Sequence, residues 1–412
     1  MEHLFTKLLQ EDKVQEALHF FESENEKTLK DQIELTAIPA PTFDENERGS
    51  FFEQKLNELH LEDIQTGDVG NVFGIRKGSG QGPKIVVSAH LDTVFPAGTN
   101  VDATFKDGKV YAPGIADDGR GLAVLLTLLK AFNKTKIKTV GDIIFLATVG
   151  EEGLGDLRGV KSFFNNHDHI DAFISIEPGS PSRIIYEGTG SRRYIVQYKG
   201  SGGHSFGDFG TPSAIHALGR AVAMLSDMKT PDNPKTTFNV GTVEGGTTVN
   251  TIAANAKMVI DLRSTDQNEL LALEEKGLAF AQQAANLENE RWGVSADKGI
   301  SVEFKMVGNR PAGTQSANAS IVKCAEHANN ALNIEPNLAP PVSTDSNVPI
   351  SLGVPAVTLG GGGDCGGMHT LEEYFNPEGS YNGPQHIFLM LIALAGVQEI
   401  TKPIALPLKI NE

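Results

Sequence analysis

Two histidines and six carboxylates stand just past the ends of short apolar runs in this sequence. His90 and Asp92 follow Lys84–Ala89 (KIVVSA), Glu151 and Glu152 follow Asp142–Thr148 (DIIFLAT), and Glu177 follows Ala172–Ile176 (AFISI). Asp117 and Asp118 come after a glycine turn at Gly114, and His369 lies in the glycine-rich loop after Pro355–Leu359 (PAVTL). Imidazole and carboxylate groups without thiolates suit Zn²⁺, with Co²⁺ or Mn²⁺ as substitutes. Gathered without counter-charge, the six carboxylates would raise one another's pKa values and oppose folding. Two divalent cations remove that conflict, because three ligand carboxylates and one hydroxide balance two Zn²⁺. A carboxylate-bridged pair of ions about 3.5–4 Å apart generates hydroxide near neutral pH and polarises a carbonyl. Taken singly, each residue has a plainer use: Asp117 as a helix cap, Glu151 and Glu152 as helix-start acids, His90 as a core or loop histidine. Their joint placement at successive strand ends favours the chemical reading.

Such a gathering needs a sheet whose strands all end at one edge. The four apolar runs are continuous rather than alternating and are separated by helical stretches, among them Gly121–Phe132 (GLAVLLTLLKAF), apolar nearly all round. That pattern predicts an α/β domain with a mostly parallel sheet covered on both faces, whose crevice opens at the carboxyl ends of the strands. The first sixty residues carry helical spacing through Leu4, Leu8, Leu9, Val14, Leu18 and Phe21. From about 191 to 308 the pattern changes. Arg193–Lys199, Ala256–Arg263 and Val302–Val307 alternate strictly, with helices expected at Pro212–Met228 and Gln267–Asn286. Alternation implies antiparallel strands with one solvated face. The expected organisation is a catalytic domain in two parts, 1–190 and 309–412, with an inserted α+β domain at 191–308.

The 412 residues carry 35 basic and 52 acidic side chains, a net charge of −17. That balance repels phosphate backbones, so no nucleic-acid partner is expected. The two cysteines, Cys324 and Cys365, make no disulfide framework and fit a reducing compartment. The N-terminal stretch is interrupted by Lys, Glu and Asp before reaching signal length, and no run of about 18 apolar residues occurs. A cytoplasmic protein without a membrane partner is expected.

The strings HLDTV, PGIADDGRG, GEEG, SIEP, GGHS, RPAG and HTLEEYF occur in this order. Together they resemble the zinc exopeptidases and deacylases that include peptidase T, acetylornithine deacetylase, aminoacylase and the glutamate-releasing carboxypeptidases. The match runs from about Ile33 to the C-terminal helix. The resemblance implies that His90, Asp117 and Glu177 hold one zinc ion while Asp117, Glu152 and His369 hold the other. It makes Glu151 the general base, and Asp92 the residue that orients His90 through its distal nitrogen. It implies a cis peptide between Asp117 and Asp118. Glu177 matches the carboxypeptidase and deacetylase branch, where peptidase T has Asp. In the inserted domain, which dimerises in such relatives, His204 would reach the partner's active site and stabilise the oxyanion. Asn250 and Arg263 match positions that touch the substrate's carbonyl or carboxylate, and Arg310 one that holds its free carboxylate.

The expected activity is therefore hydrolysis of the amide bond of small peptides by a di-zinc homodimer. The alternative is an N-acyl-amino-acid deacylase of the acetylornithine deacetylase type, and a remoter one is a binding protein without activity. Gly203–Gly207 matches a serine-hydrolase elbow, but it lacks the buried strand and directly following helix that an elbow needs. His167-Asp168-His169 reads as a surface turn, Cys365 as a small loop residue, and Gly360–Gly363 as backbone passing close to the metals.

Overall fold

The computed structural model describes residues 1–405 apart from residues 81 and 296, so the last seven residues of the 309–412 segment lie outside the described residues. The chain divides into two compact units, Met1–Gly188 with Thr314–Glu412, and Thr189–Gly313. Among the described residues no helix is long and apolar enough to cross a membrane.

The first unit is built on an eight-stranded sheet whose centre is four parallel strands in the order Asp142–Thr148, Lys84–His90, Ala172–Glu177, Ala356–Gly360. Both faces of these strands are covered, which is why apolar residues occupy consecutive positions. Ile85, Val87, Ala89, Phe145 and Ile174 face a core completed by the helices Gly119–Thr135 and Asn382–Ala395. The intervening Val86, Ile144, Leu146 and Phe173 face a second core under the helix Arg158–Asn166. The N-terminal helices Asp12–Ser23 and Asn25–Thr36 add Val14, Leu18, Phe21 and Leu35 to the first core.

Several strands have no counterpart in the sequence reading. Val72–Arg76 and Glu62–Thr66 extend one side of the sheet antiparallel; Arg183–Ile185 and Asn337–Leu338 extend the other. Glu62–Thr66 (EDIQT) is a half-exposed edge with one apolar side chain, too little to show a period. A separate four-stranded sheet, in the order Asp364–Gly366, Tyr374–Asn376, Lys109–Tyr111, Thr104–Lys106, joins the glycine-rich segment to the residues before Asp117.

The second unit has an antiparallel sheet in the order Thr236–Gly245, Asn255–Ser264, Gly190–Lys199, Ser301–Arg310. Tyr194, Val196, Tyr198, Met258, Ile260 and Leu262 form its inner face, packed against the helices Ala214–Ser226 and Gln267–Trp292. The longer helix is capped by Asp266, which accepts from the N–H groups of Asn268 and Glu269, and it ends at Gly293 in the left-handed region (φ +61°). It runs past the expected end at Asn286 because Ala281, Ala284, Ala285 and Glu288 keep burying one face through the last turns.

Candidate metal centre

Parallel strands deliver their carboxyl ends to one edge, and the acids and imidazoles meet there. Asp117 sits at the centre. Its Oδ1 lies 3.0 Å from His90 Nε2 and its Oδ2 lies 3.2 Å from His369 Nε2. Glu152 Oε1 is 3.2 Å from the same His369 nitrogen. His90, Asp117 and Glu152 each present a donor atom, all within 4.8 Å of one another. Donors about 2.0–2.2 Å from a tetrahedral ion lie about 3.4 Å apart, so these spacings suit ligands sharing ions. The two oxygens of one carboxylate facing two imidazoles is the arrangement of a bridging ligand.

The loop that carries Asp117 is shaped by its sequence. Gly114 has φ +80°, and a Cβ there would meet Thr93 Cγ2 at 2.7 Å. The peptide between Asp117 and Asp118 is cis. Asp118, not Asp117, caps the helix Gly119–Thr135, accepting from the Gly121 N–H at 2.9 Å, and it also accepts from the His90 N–H at 3.0 Å.

Asp92 meets the distal nitrogen of His90 through its backbone carbonyl, leaving its carboxylate for other partners. His90 Nδ1 pairs with the backbone carbonyl of Asp92 at 2.9 Å, while the nearer carboxylate oxygen lies at 3.7 Å, too far for a hydrogen bond. The Asp92 carboxylate instead accepts from the N–H groups of Glu151 (2.9 Å) and Glu152 (3.0 Å) and from the Thr42 hydroxyl (2.8 Å). It therefore fixes the backbone that presents both glutamates.

The electrostatics call for cations. Glu177 Oε1 is out of solvent and has no hydrogen-bond partner, and burial pushes its carboxyl well above the ordinary range. Asp117 and Glu152, bonded to His369, raise that imidazole to about 10. Burial works against a charged His90, but Asp117 and Asp92 outweigh it and hold its pKa well above the usual value. Both imidazoles thus face carboxylate oxygens that favour positive charge.

Three residues that sequence reasoning missed support the cluster. Arg48 and Arg120 are fully buried cations, so the acids are not wholly without counter-charge. Arg48 donates to the carbonyls of Leu91 and Ile38 while feeling Asp92, Asp118 and Glu373, and burial lowers its pKa to about 10. Arg120 donates to the carbonyls of Gly361 and Ser380. Glu373 is fully buried; its carboxylate accepts from the N–H groups of Gly114, Ala116 and Asp117. In the sequence it is the second acid of HTLEEYF, a string that carries the resemblance without showing what this glutamate does.

In the second unit, His204 lies on a short ladder, Gly203–His204 with Thr251–Ile252. Its Nδ1 accepts from the N–H groups of Phe206 (3.3 Å) and Gly207 (3.1 Å), so the neutral ring carries its proton on Nε2. Asn250 is exposed, with its Oδ1 accepting from the Thr248 hydroxyl at 3.0 Å. Arg263 Nε donates to Asp261 at 2.8 Å, and Asp261 also accepts from Arg193. Arg310 is buried at the end of its strand.

The competing motifs find structural uses. His167 stacks on Phe163 with centroids 4.3 Å apart and pairs with the Phe163 carbonyl. Cys365 belongs to the strand Asp364–Gly366, and burial pushes its thiol up to about 11. The glycines at 360–363 serve backbone packing: a Cβ on Gly360 would stand 2.2 Å from the Ser180 carbonyl, and one on Gly362 2.3 Å from the Ser380 carbonyl.

An α/β sheet with this His–carboxylate cluster at its strand ends defines a metal-dependent hydrolase of peptide or N-acyl amide bonds. The profile of Peptidase family M20/M25/M40 matches residues 86–392, and the chain belongs to that family. It is 26% identical over 364 residues to the uncharacterized protein YqjE of Bacillus subtilis (strain 168), covering 85% of this chain and 93% of that protein. It is 30% identical over 263 residues to a succinyl-diaminopimelate desuccinylase of Hahella chejuensis (strain KCTC 2396), covering 58% of this chain and 68% of that enzyme. A tripeptidase structure from Staphylococcus aureus subsp. aureus mu50 superposes with a TM-score of 0.74 at 23% identity, over 89% of this chain and 97% of that one. At that identity the likeness speaks for the fold.

Proposed function

We propose that the chain is a cytoplasmic exopeptidase that hydrolyses the amide bond of small peptides with two Zn²⁺ ions. The carrying observation is Asp117, whose two carboxylate oxygens face the imidazoles of His90 and His369. His90, Asp117 and Glu177 would hold one ion; Asp117, Glu152 and His369 would hold the other. When bound, such a pair polarises the amide carbonyl and acidifies a water molecule. Glu151, beside Glu152 and with its N–H fixed by the Asp92 carboxylate, would take a proton from the attacking water and pass it to the leaving amine. His204, with its proton on Nε2, donates to the oxygen that gains charge. Asn250, Arg263 and Arg310 grip the substrate's carbonyl and carboxylate. We assign catalysis to 1–190 with 309–412, and assign 191–308 as the lid through which two copies pair.

A panel of di- and tripeptides against acetyl- and succinyl-amino acids, with added zinc, cobalt, manganese or chelator, tests this reading. Peptide turnover that chelator abolishes supports it. Turnover of acyl-amino acids alone would favour a deacylase, a second reading supported by the identity to the desuccinylase. No turnover with any metal would leave only a binding role.

A further inference from the structure

We infer that Glu373 is a positioning residue that sets the second ion's place by locking the loop of Asp117 to the loop of His369. The inference rests on the two-ion reading above. His369 and Asp117 are 252 residues apart in the chain, yet their side chains meet at 3.2 Å. His369 sits in a tight turn, with φ +64° and its imidazole about half exposed, so its own surroundings fix it weakly. Four residues on, Glu373 is wholly buried.

The Glu373 carboxylate reaches across to the other loop with both oxygens. Oε1 accepts from the N–H groups of Ala116 (2.9 Å) and Asp117 (3.0 Å), and Oε2 from that of Gly114 (2.9 Å). The Glu373 carbonyl accepts from the Ala112 N–H at 3.2 Å, and the next residues continue as a ladder, with Tyr374 opposite Tyr111 and Phe375 opposite Val110. Backbone pairing brings the two segments side by side. The three side-chain bonds then grip the turn Gly114–Asp117, which no strand holds. His90 depends on neither: it ends its own strand and pairs with the Asp92 carbonyl. Loss of the clamp should therefore loosen both ions through Asp117, and loosen most the one that also needs His369.

Glu373→Gln separates the two. A glutamine has one acceptor oxygen, and its NH₂ would face an N–H group that now has a carboxylate oxygen. Equilibrium dialysis with elemental analysis, and zinc titration against a chelator of known affinity, are run on wild type and on Glu373→Gln. The wild type is expected to hold two equivalents. The variant is expected to bind the ion that needs His369 about 10- to 100-fold more weakly and the other with a clearly smaller loss, as supporting residues around metal ligands do when altered. Glu373→Asp, which keeps the charge, should regain part of that loss, and it takes the place of the glutamine variant if the latter does not fold. Two equivalents at unchanged affinity in the variant would overturn the inference. Equal weakening of both ions would overturn it as well, because Glu373 would then be general scaffolding. A wild type that holds fewer than two ions would instead overturn the two-ion reading, and this inference with it.

Discussion

Replacing Asp92 by Asn tests which atoms that residue works through. Asp92 is fully buried and its carboxylate accepts from the N–H groups of Glu151 and Glu152 and from the Thr42 hydroxyl. An asparagine offers one oxygen and one NH₂. Thr42 can turn its hydroxyl to suit either group, but one of the two N–H groups must face the NH₂. A buried N–H left unpaired costs about 1–3 kcal/mol, and exchanging a charged for a neutral acceptor at the other costs about 1 kcal/mol more. The backbone of Glu151–Glu152 is thus loosened by about 2–4 kcal/mol. At about 1.4 kcal/mol per factor of ten, amide hydrogen exchange there should speed up roughly 30- to 700-fold. The measurement is exchange followed by mass spectrometry of a fragment spanning 149–153, on metal-free protein so that ion binding does not contribute. Turnover should fall about 10- to 100-fold. The ion on His90 should stay, since the carbonyl that holds this imidazole is unchanged. Unaltered exchange at 151–152 together with loss of that ion would refute the reasoning and make the Asp92 carboxylate the group that orients the ring.

Glu151→Gln should lower turnover at least about 10²-fold with metal content retained, whereas Glu152→Gln should lose metal first; elemental analysis beside kinetics checks both, and the reverse pattern exchanges their roles. Chelation should lower the melting temperature as well as abolish activity, because ions bound only to the folded chain stabilise it; a Tm unmoved by chelator and by added zinc would contradict this. In the second unit, burial favours a neutral Glu288, but bonds from the Ser213 N–H, Trp292 and Arg220 outweigh it and hold its carboxyl below the usual value. A lowered acid stabilises above its unfolded pKa of about 4.3 and loses that contribution as pH falls through the folded value, so Glu288→Gln should destabilise at pH 7 and cost progressively less in thermal unfolding as pH falls below about 4.3. His204→Ala should cost on the order of 3–4 kcal/mol of transition-state stabilisation with metal content unchanged. Mixing it with Glu151→Gln subunits should restore some activity if the site is shared between copies, and a mixture as inactive as its parents after subunit exchange would place His204 within its own chain or outside catalysis.

The parallel core was legible because burial on both faces makes KIVVSA, DIIFLAT and AFISI continuous apolar runs rather than alternating ones. In the inserted unit, alternation marked Gly190–Lys199 and Asn255–Ser264, whose inner residues face two helices. Thr236–Gly245 was not legible, since it is the sheet's edge and most of its side chains are exposed on both faces. Glu62–Thr66, an exposed edge of the large sheet, was missed for the same reason, whereas Val72–Arg76 and Arg183–Ile185 lie inside that sheet and are largely buried. Amphipathic period is a record of burial, and Thr236–Gly245 has little burial to record.

The candidate site divides along a different line. Residue type at a strand end announces which groups can converge, so two histidines and six carboxylates could be gathered from the chain alone, while the choice of His90, Asp117, Glu152, Glu177 and His369 among them came from the resemblance. What type cannot announce is the atom through which a residue acts. Asp92 holds the imidazole with its carbonyl and the glutamates with its carboxylate, and the letters HLD are the same in either case. Asp117 and Asp118 are likewise identical in type, yet one faces two imidazoles and the other caps a helix, because a single turn gives their side chains different directions. Arg48, Arg120 and Glu373 escaped for a third reason. Each acts almost wholly on backbone N–H and C=O groups, and every residue has those, so no pairing of side-chain types points to them. A cluster of acids at strand ends therefore identifies the chemistry, while the residues that keep its ligands in place have to be sought by asking which buried charge satisfies which loop.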